Sequence, residues 1–330
     1  MSRFVSLIGA CILLVFTGGC DASFNPSAAF KPTMVVYSVL RTDSDTQYVR
    51  IYPTYLPPAN DPAKNPSEIS VTDAVVKVAG TNPLYDARIF DFQRIDLKRP
   101  DQSRYQSDIT AYYCFPFTPI RGATYRLTAV SPTYGTATAV TTVPGRGSVT
   151  PVNSYVLNDP LYSREDFGLS ATLAPQAKAF LGRIYVEYLF TLDDRTFFPR
   201  RFEVPLGREV ISCFWGTVNE SFPRPATKQN SQEQIPYNRM VYLHKVSNVY
   251  DREGAAIRFT QAVFYVIQFD ESLWDYYKLA NKFQDTYSVR IDEPDYTNIA
   301  NGAGVFGSAS VDSLILPLKQ VISHLLPGCY

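Results

Sequence analysis

The sequence predicts a mainly β protein. An immunoglobulin-like or transthyretin-like β-sandwich over residues 33–145 is followed by a second β-rich domain over 146–330, with one prominent helix near 271–287. Three observations lead there. The chain holds 23 Tyr and 21 Phe against 3 Met, with 24 Pro, a profile that suits pleated surfaces and rigid loops. Residues 33–145 contain seven short strand-like runs separated by turn residues. One stretch near the end repeats apolar residues at three- and four-residue steps, the period of a helix face.

The strands follow in order. TMVVYSVL (33–40) is a compact apolar run, and TDSD makes the turn after it. In QYVRIYPTY, Val49 and Ile51 alternate with Tyr48, Arg50 and Tyr52, the pattern of a half-buried strand. A loop rich in proline precedes residues 71–79, where Ala74, Val76 and Val78 share a face. YDARIFDFQRIDL, the run Tyr112–Phe117, TYRLTAV and TATAVTTV complete the set. The rhythm stops in PGRGSVTPVNSYVLNDP, which marks the domain boundary.

In the second half, LAPQAKAFLG reads as a turn or two of helix. RIYVEYLFTL alternates Ile184, Val186, Tyr188, Phe190 and Leu192, and RFEVPL follows after a turn. GTVNESFPRPATKQNSQEQIP is a long polar loop. MVYLHKV and IRFTQAVFYVIQF read as strands, the latter with Phe259, Val263, Tyr265, Ile267 and Phe269 on one side. In DESLWDYYKLANKFQDTY, Leu273, Tyr276, Ala280, Phe283 and Tyr287 form a helical stripe that faces a core, and Ser272 with Asp275 resembles a capping box. DSLILPL is a last strand.

The first residues carry an address. Arg3 supplies a positive start, an apolar stretch runs from Phe4, and Thr17-Gly18-Gly19-Cys20 leads into polar text at Asp21. That is the layout of a secretory signal peptide, and the cysteine makes it resemble a bacterial lipoprotein signal. The expectation is a signal peptide over 1–19, lipidation of Cys20, and a tether over 20–32. The weaker readings are a retained membrane helix, for which a spanning segment needs ~20 apolar residues, an ordinary signal peptide, and cleavage before Cys11. More than one acyl chain holds such a protein on a membrane surface, since a single chain binds only marginally.

Little points to catalysis. Lys plus Arg and Asp plus Glu both number 31, so no basic excess argues for nucleic acid. The two histidines, His244 and His324, lie outside any metal-binding spacing, and a structural role is the expectation for His244. Cys114, Cys213 and Cys329 match no zinc or redox motif; an exported compartment would allow one bridge among them, and their spacing does not say which. Gly302-Ala303-Gly304-Val305-Phe306-Gly307 matches G-x-G-x-x-G, yet it precedes a strand and too little chain follows for a βαβ unit, so turns or close packing explain it better. The acidic groups Asp43 with Asp45, and Asp292, Glu293 and Asp295, lack the ligand series of a calcium loop. No cofactor or metal is expected.

Taken together, DTQYVRIYPTYLP, VTDAVVKV, GATYRLTAVSPTYG and NIANGAGVFGS resemble the domain of unknown function 4249 lipoproteins, across most of the chain after Cys20. The resemblance implies a lipid-anchored protein of the Gram-negative outer membrane, β-rich with an immunoglobulin-like N-terminal part. It also implies association with a TonB-dependent nutrient transporter or another envelope partner protein. Only Asp21 lies close to Cys20, where some such lipoproteins carry a strongly acidic export signal, so the leaflet is left open.

The expectation for function is a non-catalytic binding or accessory component of an envelope uptake system. A structural or assembly subunit of the cell surface is the alternative, and an unfamiliar envelope hydrolase comes third. Tyr55, Tyr105, Phe222 and Tyr237, on or beside polar loops, are the candidate contacts for a sugar or a partner.

Overall fold

The computed structural model describes residues 31–55, 69–82, 84, 86–98, 108–160, 163–193, 196–209, 218–253, 257–282 and 296–319. The seven strands expected in the first half are all present: β1 (Met34–Arg41), β2 (Gln47–Pro53), β3 (Val75–Gly80), β4 (Ile89–Leu97), β5 (Ile109–Cys114), β6 (Thr124–Ser131) and β7 (Gly135–Thr142). β4 belongs to two layers. Its first half pairs with β3 (Phe92 opposite Val76) and its second half with β5 (Gln93 opposite Tyr113). The layers are therefore β1-β2-β5-β4 and β4-β3-β6-β7, the strand order of an immunoglobulin-like sandwich.

Alternation supplies the core. Met34, Val36 and Leu40 from β1, Val49 and Ile51 from β2, and Tyr125, Leu127 and Ala129 from β6 meet between the layers. Tyr125 also closes a tyrosine corner. Its hydroxyl accepts from the Ile120 amide at 2.9 Å and donates to Asp86 Oδ2 at 2.8 Å. The Arg88 guanidinium, bonded to both oxygens of Asp86, holds that carboxyl below the usual range.

The second half begins with β8 (Ser148–Val152) and β9 (Phe167–Thr172), where the sequence shows no clear rhythm. β10 (Ala179–Asp193), β11 (Thr196–Glu203), β12 (Leu206–Glu209), β13 (Val218–Ser221), β14 (Ala226–Thr227) and β15 (Gln232–Tyr237) follow, so the expected long polar loop contains short strands. Then come helix α1 (Arg239–Glu253), β16 (Ile257–Phe269), helix α2 (Glu271–Lys282) and β17 (Gly302–Pro317). A twelve-stranded sheet runs β11-β10-β16-β17-β1-β2-β5-β4-β3-β6-β7, with β14 on β10, and β15-β9-β8 forms a second sheet. α1 and β9 pack with β10 and β16 around a second core that includes Tyr188, Phe202, Tyr242, Val246 and Phe264.

Three expectations need correction. LAPQAKAFLG is a turn leading into β10, not helix. MVYLHKV is part of α1, not a strand. Asn238 caps this helix, its side-chain oxygen accepting from the amides of Met240 at 2.9 Å and Val241 at 3.1 Å. On β16 the buried side chains near the end are Phe264, Val266 and Gln268, whereas Tyr265, Ile267 and Phe269 face outward. A bulge between Glu187 and Tyr188 shifts the register against β16, so the alternation changes face partway along.

β17 joins the two halves. Its first part pairs in parallel with β1, Met34 opposite Gly302 and Arg41 opposite Ala309. Its second part pairs antiparallel with β16, Phe269 opposite Ala309 and Gln261 opposite Pro317. The expected boundary at residue 146 falls between the two hydrophobic cores, while Ile299 and Phe306 return to the first of them. The Gly-x-Gly-x-x-Gly run lies within β17. A Cβ at Gly304 (φ +102°) would fall on the Val36 carbonyl oxygen, and one at Gly307 would meet Leu273 of α2. Those glycines let β1 and α2 approach.

Candidate functional site

The alternation that buries Val49 and Ile51 turns Tyr48, Arg50 and Tyr52 to the outer face of β2. β1 places Tyr37 opposite Arg50 on that face, and β5 places Tyr113 opposite Tyr48. α2 lies against the same side because Gly307 carries no side chain, and its Tyr276 ring reaches Tyr37 at 5.9 Å between centroids. Tyr37 meets Tyr52 edge-on at 6.1 Å, and the Arg50 guanidinium lies 5.0 Å from the Tyr52 ring.

A shallow cleft of about 530 Å³ opens here, from Tyr37 and Val39 on β1 to Tyr48 and Arg50 on β2. Tyr48 is 45% exposed. At the hairpin end Arg41 clamps Asp43 through Nε–Oδ1 (3.0 Å) and Nη2–Oδ2 (2.7 Å), and those bonds hold the Asp43 carboxyl below its ordinary range. The groove thus offers flat aromatic faces for stacking beside guanidinium and hydroxyl groups for hydrogen bonding.

A second polar cluster is buried where the halves meet. Asp270 caps α2, its Oδ1 accepting from the amides of Leu273 and Ser308, each at 3.0 Å. The cap is thus two residues before the Ser272 expected from the sequence. Thr141 Oγ1 lies 2.5 Å from Asp270 Oδ2 and 3.0 Å from Ser308 Oγ, which in turn donates to the Thr142 carbonyl at 3.1 Å. Burial pushes the Asp270 carboxyl up. Thr141 donates to Asp270 Oδ2, and that bond with those from the Leu273 and Ser308 amides opposes the rise. The cluster is sealed by its neighbours and serves as a joint. Nearby, Arg121 pairs with Asp312, whose Oδ2 also accepts from the Gly147 amide at 3.0 Å and Gln268 Nε2 at 3.1 Å.

Of the residues expected to contact a ligand or partner, Tyr55, Phe222 and Tyr237 are described, and none of them lines the groove on β1 and β2. Tyr55 is half-buried beyond the end of β2, and Phe222 is 45% exposed, beside Pro223 and Arg224 of a smaller cleft of about 340 Å³. Tyr237 is a correction. It is 1% exposed, stacks on Phe167 at 5.7 Å, and belongs to the second core, because the alternation of β15 turns it inward. Tyr105 and Cys20 lie outside the described residues, as do Cys213, Cys329 and His324. His244 sits on α1, its Nδ1 3.3 Å from the Asn248 amide nitrogen. Cys114 is a free, half-buried thiol whose ionisation is disfavoured by burial and then by Asp91. Among the described residues no three His, Cys, Asp or Glu side chains gather as a metal site, and no helix is long and apolar enough to cross a membrane.

The signal for the groove was present in the sequence. QYVRIYP alternates strictly, and its outward set of Tyr, Arg and Tyr is as informative as its buried set. What no local pattern gives is the arrival of Tyr276 from more than two hundred residues away.

The fold is β-rich, with an aromatic face on the outer side of β1 and β2. The family model described as Domain of unknown function (DUF4249) matches residues 21–315, and the chain belongs to that family. No curated protein matches it.

Proposed function

We propose that this protein is a lipid-anchored component of the bacterial outer membrane, held through Cys20, which binds a glycan, a peptide or an envelope partner without chemical conversion. The observation that carries the binding role is the outer face of β1 and β2, where Tyr37, Tyr48 and Arg50 line an open groove and Tyr52 and Tyr276 of α2 back Tyr37. Aromatic rings beside guanidinium groups are suited to hold a ligand by stacking and hydrogen bonds. The anchor rests on the N-terminal Thr17-Gly18-Gly19-Cys20 box. The family resemblance supports a TonB-dependent transporter or another envelope protein as partner. A hydrolase is the weaker reading, because the buried Asp270, Thr141 and Ser308 are committed to one another.

A structural or assembly subunit is the second reading, favoured by β11, which ends the large sheet with an exposed edge.

Palmitate labelling of the wild type and of Cys20→Ala tests the anchor; label that survives the substitution would refute it. Protease shaving of intact cells then assigns the leaflet. For the groove, glycan-array binding and co-purification of a transporter from detergent-solubilised envelope are compared between wild type and Tyr48→Ala/Arg50→Ala. Signals unchanged by the double substitution would remove the groove from the function.

A further inference from the structure

The turn between β1 and β2 is held twice over. Gln47, 2% exposed, closes it from within. Its Oε1 accepts from the Arg41 amide at 2.9 Å, and its Nε2 donates to the carbonyls of Arg41 at 3.0 Å and Ser44 at 2.8 Å. The Arg41–Asp43 pair spans the same turn from outside, with side chains 50% and 35% exposed. A pair so exposed adds little to stability, and Gln47 already fixes the turn. What the pair does supply is a rigid set of polar atoms lining the groove together with Tyr48. Its two bonds leave a second lone pair on each carboxylate oxygen and further N–H donors on the guanidinium.

Charge narrows the ligand. Residues 41–50 carry Arg41 and Arg50 against Asp43 and Asp45, so this rim has no net charge. On α2, Asp275 and Lys278 pair with each other. Neither an acidic nor a basic ligand is favoured. The backbone beneath the groove is also taken. β1 pairs with β17 along Met34–Arg41 and with β2 along Met34–Ser38, while Gln47 occupies both backbone groups of Arg41. A peptide therefore cannot join this face as an added strand.

Recognition falls to an aromatic ring with an acceptor and a donor fixed side by side. A sugar ring meets all three. Each of its hydroxyls both donates and accepts, so one can donate to Asp43 while its neighbour accepts from Arg41. Its C–H face can lie on Tyr48, which is 45% exposed. The cleft, about 530 Å³, is within the ~300–1,000 Å³ of small-molecule sites.

We infer that the groove takes a neutral saccharide, the Arg41–Asp43 pair reading two adjacent hydroxyls and Tyr48 carrying the apolar face of the ring. This names the ligand class for the binding role proposed above and rests on that role.

The test is affinity electrophoresis of the full-length chain in detergent, through gels containing dextran, galactomannan, arabinoxylan or polygalacturonate. At least one neutral polymer should retard the wild type, more strongly than polygalacturonate does. The same polymer should lose its effect after periodate cleavage of its adjacent hydroxyls and borohydride reduction. Tyr48→Ala and Asp43→Ala should each weaken retardation about tenfold. Asp43→Ala also releases Arg41, so it should gain retardation by polygalacturonate, a gain that a misfolded variant cannot give. A preference of the wild type for polygalacturonate overturns the inference, as does retardation by none of the neutral polymers. Retardation weakened by Tyr48→Ala but untouched by Asp43→Ala or by periodate overturns the hydroxyl-reading pair and leaves the groove as the binding site. Retardation untouched by either substitution removes the groove itself, and with it the reading on which this inference rests.

Discussion

Asp270 shows how much one buried carboxyl can organise. It caps α2, receives the Ser308 amide and lies in hydrogen-bond contact with Thr141. Because burial raises its ionisation above that of the unfolded chain, the folded state binds the extra proton. The associated stability is fully present below the unfolded value of about 3.9 and is lost as pH rises through the folded value. Asp86 behaves oppositely: Arg88 lowers it, so its contribution is present above that range and lost on acidification. Asp270→Asn should keep the cap through its side-chain oxygen and remove the titrating group. Denaturant midpoints from pH 4 to 8 should therefore decline less for the variant than for the wild type, and parallel profiles would sink the assignment. Gly304 is the other residue on which much depends. Gly304→Ala should destabilise by about 2–4 kcal/mol, from positive φ and the collision with the Val36 carbonyl. Chemical denaturation measures it, and a loss below about 1 kcal/mol would mean β1 and β17 separate easily.

At the scale of elements, legibility followed periodicity. The strands of the first half are readable because most bury one face, as β1, β2, β3 and β6 do; β5, which buries both Ala111 and Tyr112, is an exception. α1 was not readable. RMVYLHKVSNVY mixes β-branched and aromatic residues that favour strands, and its helical set of Tyr242, Val246, Val249 and Tyr250 becomes clear only when read past Val246. The Asn238 cap was the available signal. On β16 the alternation was legible but its sense was not, because the bulge depends on the register with β10. α2 was found, though its cap lay two residues earlier than expected. The candidate site fared less well. Proximity to loops drew attention to Tyr237, which is core, whereas the groove is built on strands already recognised.

For the whole molecule, the joint between the two cores is polar. Arg121 comes from the sandwich and Asp312 from β17; the pair is part-buried and shared with Gly147 and Gln268. Removing one partner leaves the other charge without compensation. Asp312→Ala should cost about 2–4 kcal/mol and separate the unfolding of the two cores. Tryptophan fluorescence and far-UV circular dichroism should then give non-coincident transitions, whereas coincident transitions with unchanged midpoint would show that the joint is held elsewhere. A fragment ending at residue 145 retains all seven sandwich strands but loses β17, so it should expose the β1 edge and associate. A monomeric fragment with a cooperative melt would overturn that expectation.

The parallel pairing of β1 with β17 also sets an order of events. β1 finds its neighbour in β17, with most of the described chain between them. Contacts this distant in sequence are slow to form, because the intervening loop must close first. Until β17 is made, that side of β1 is vacant.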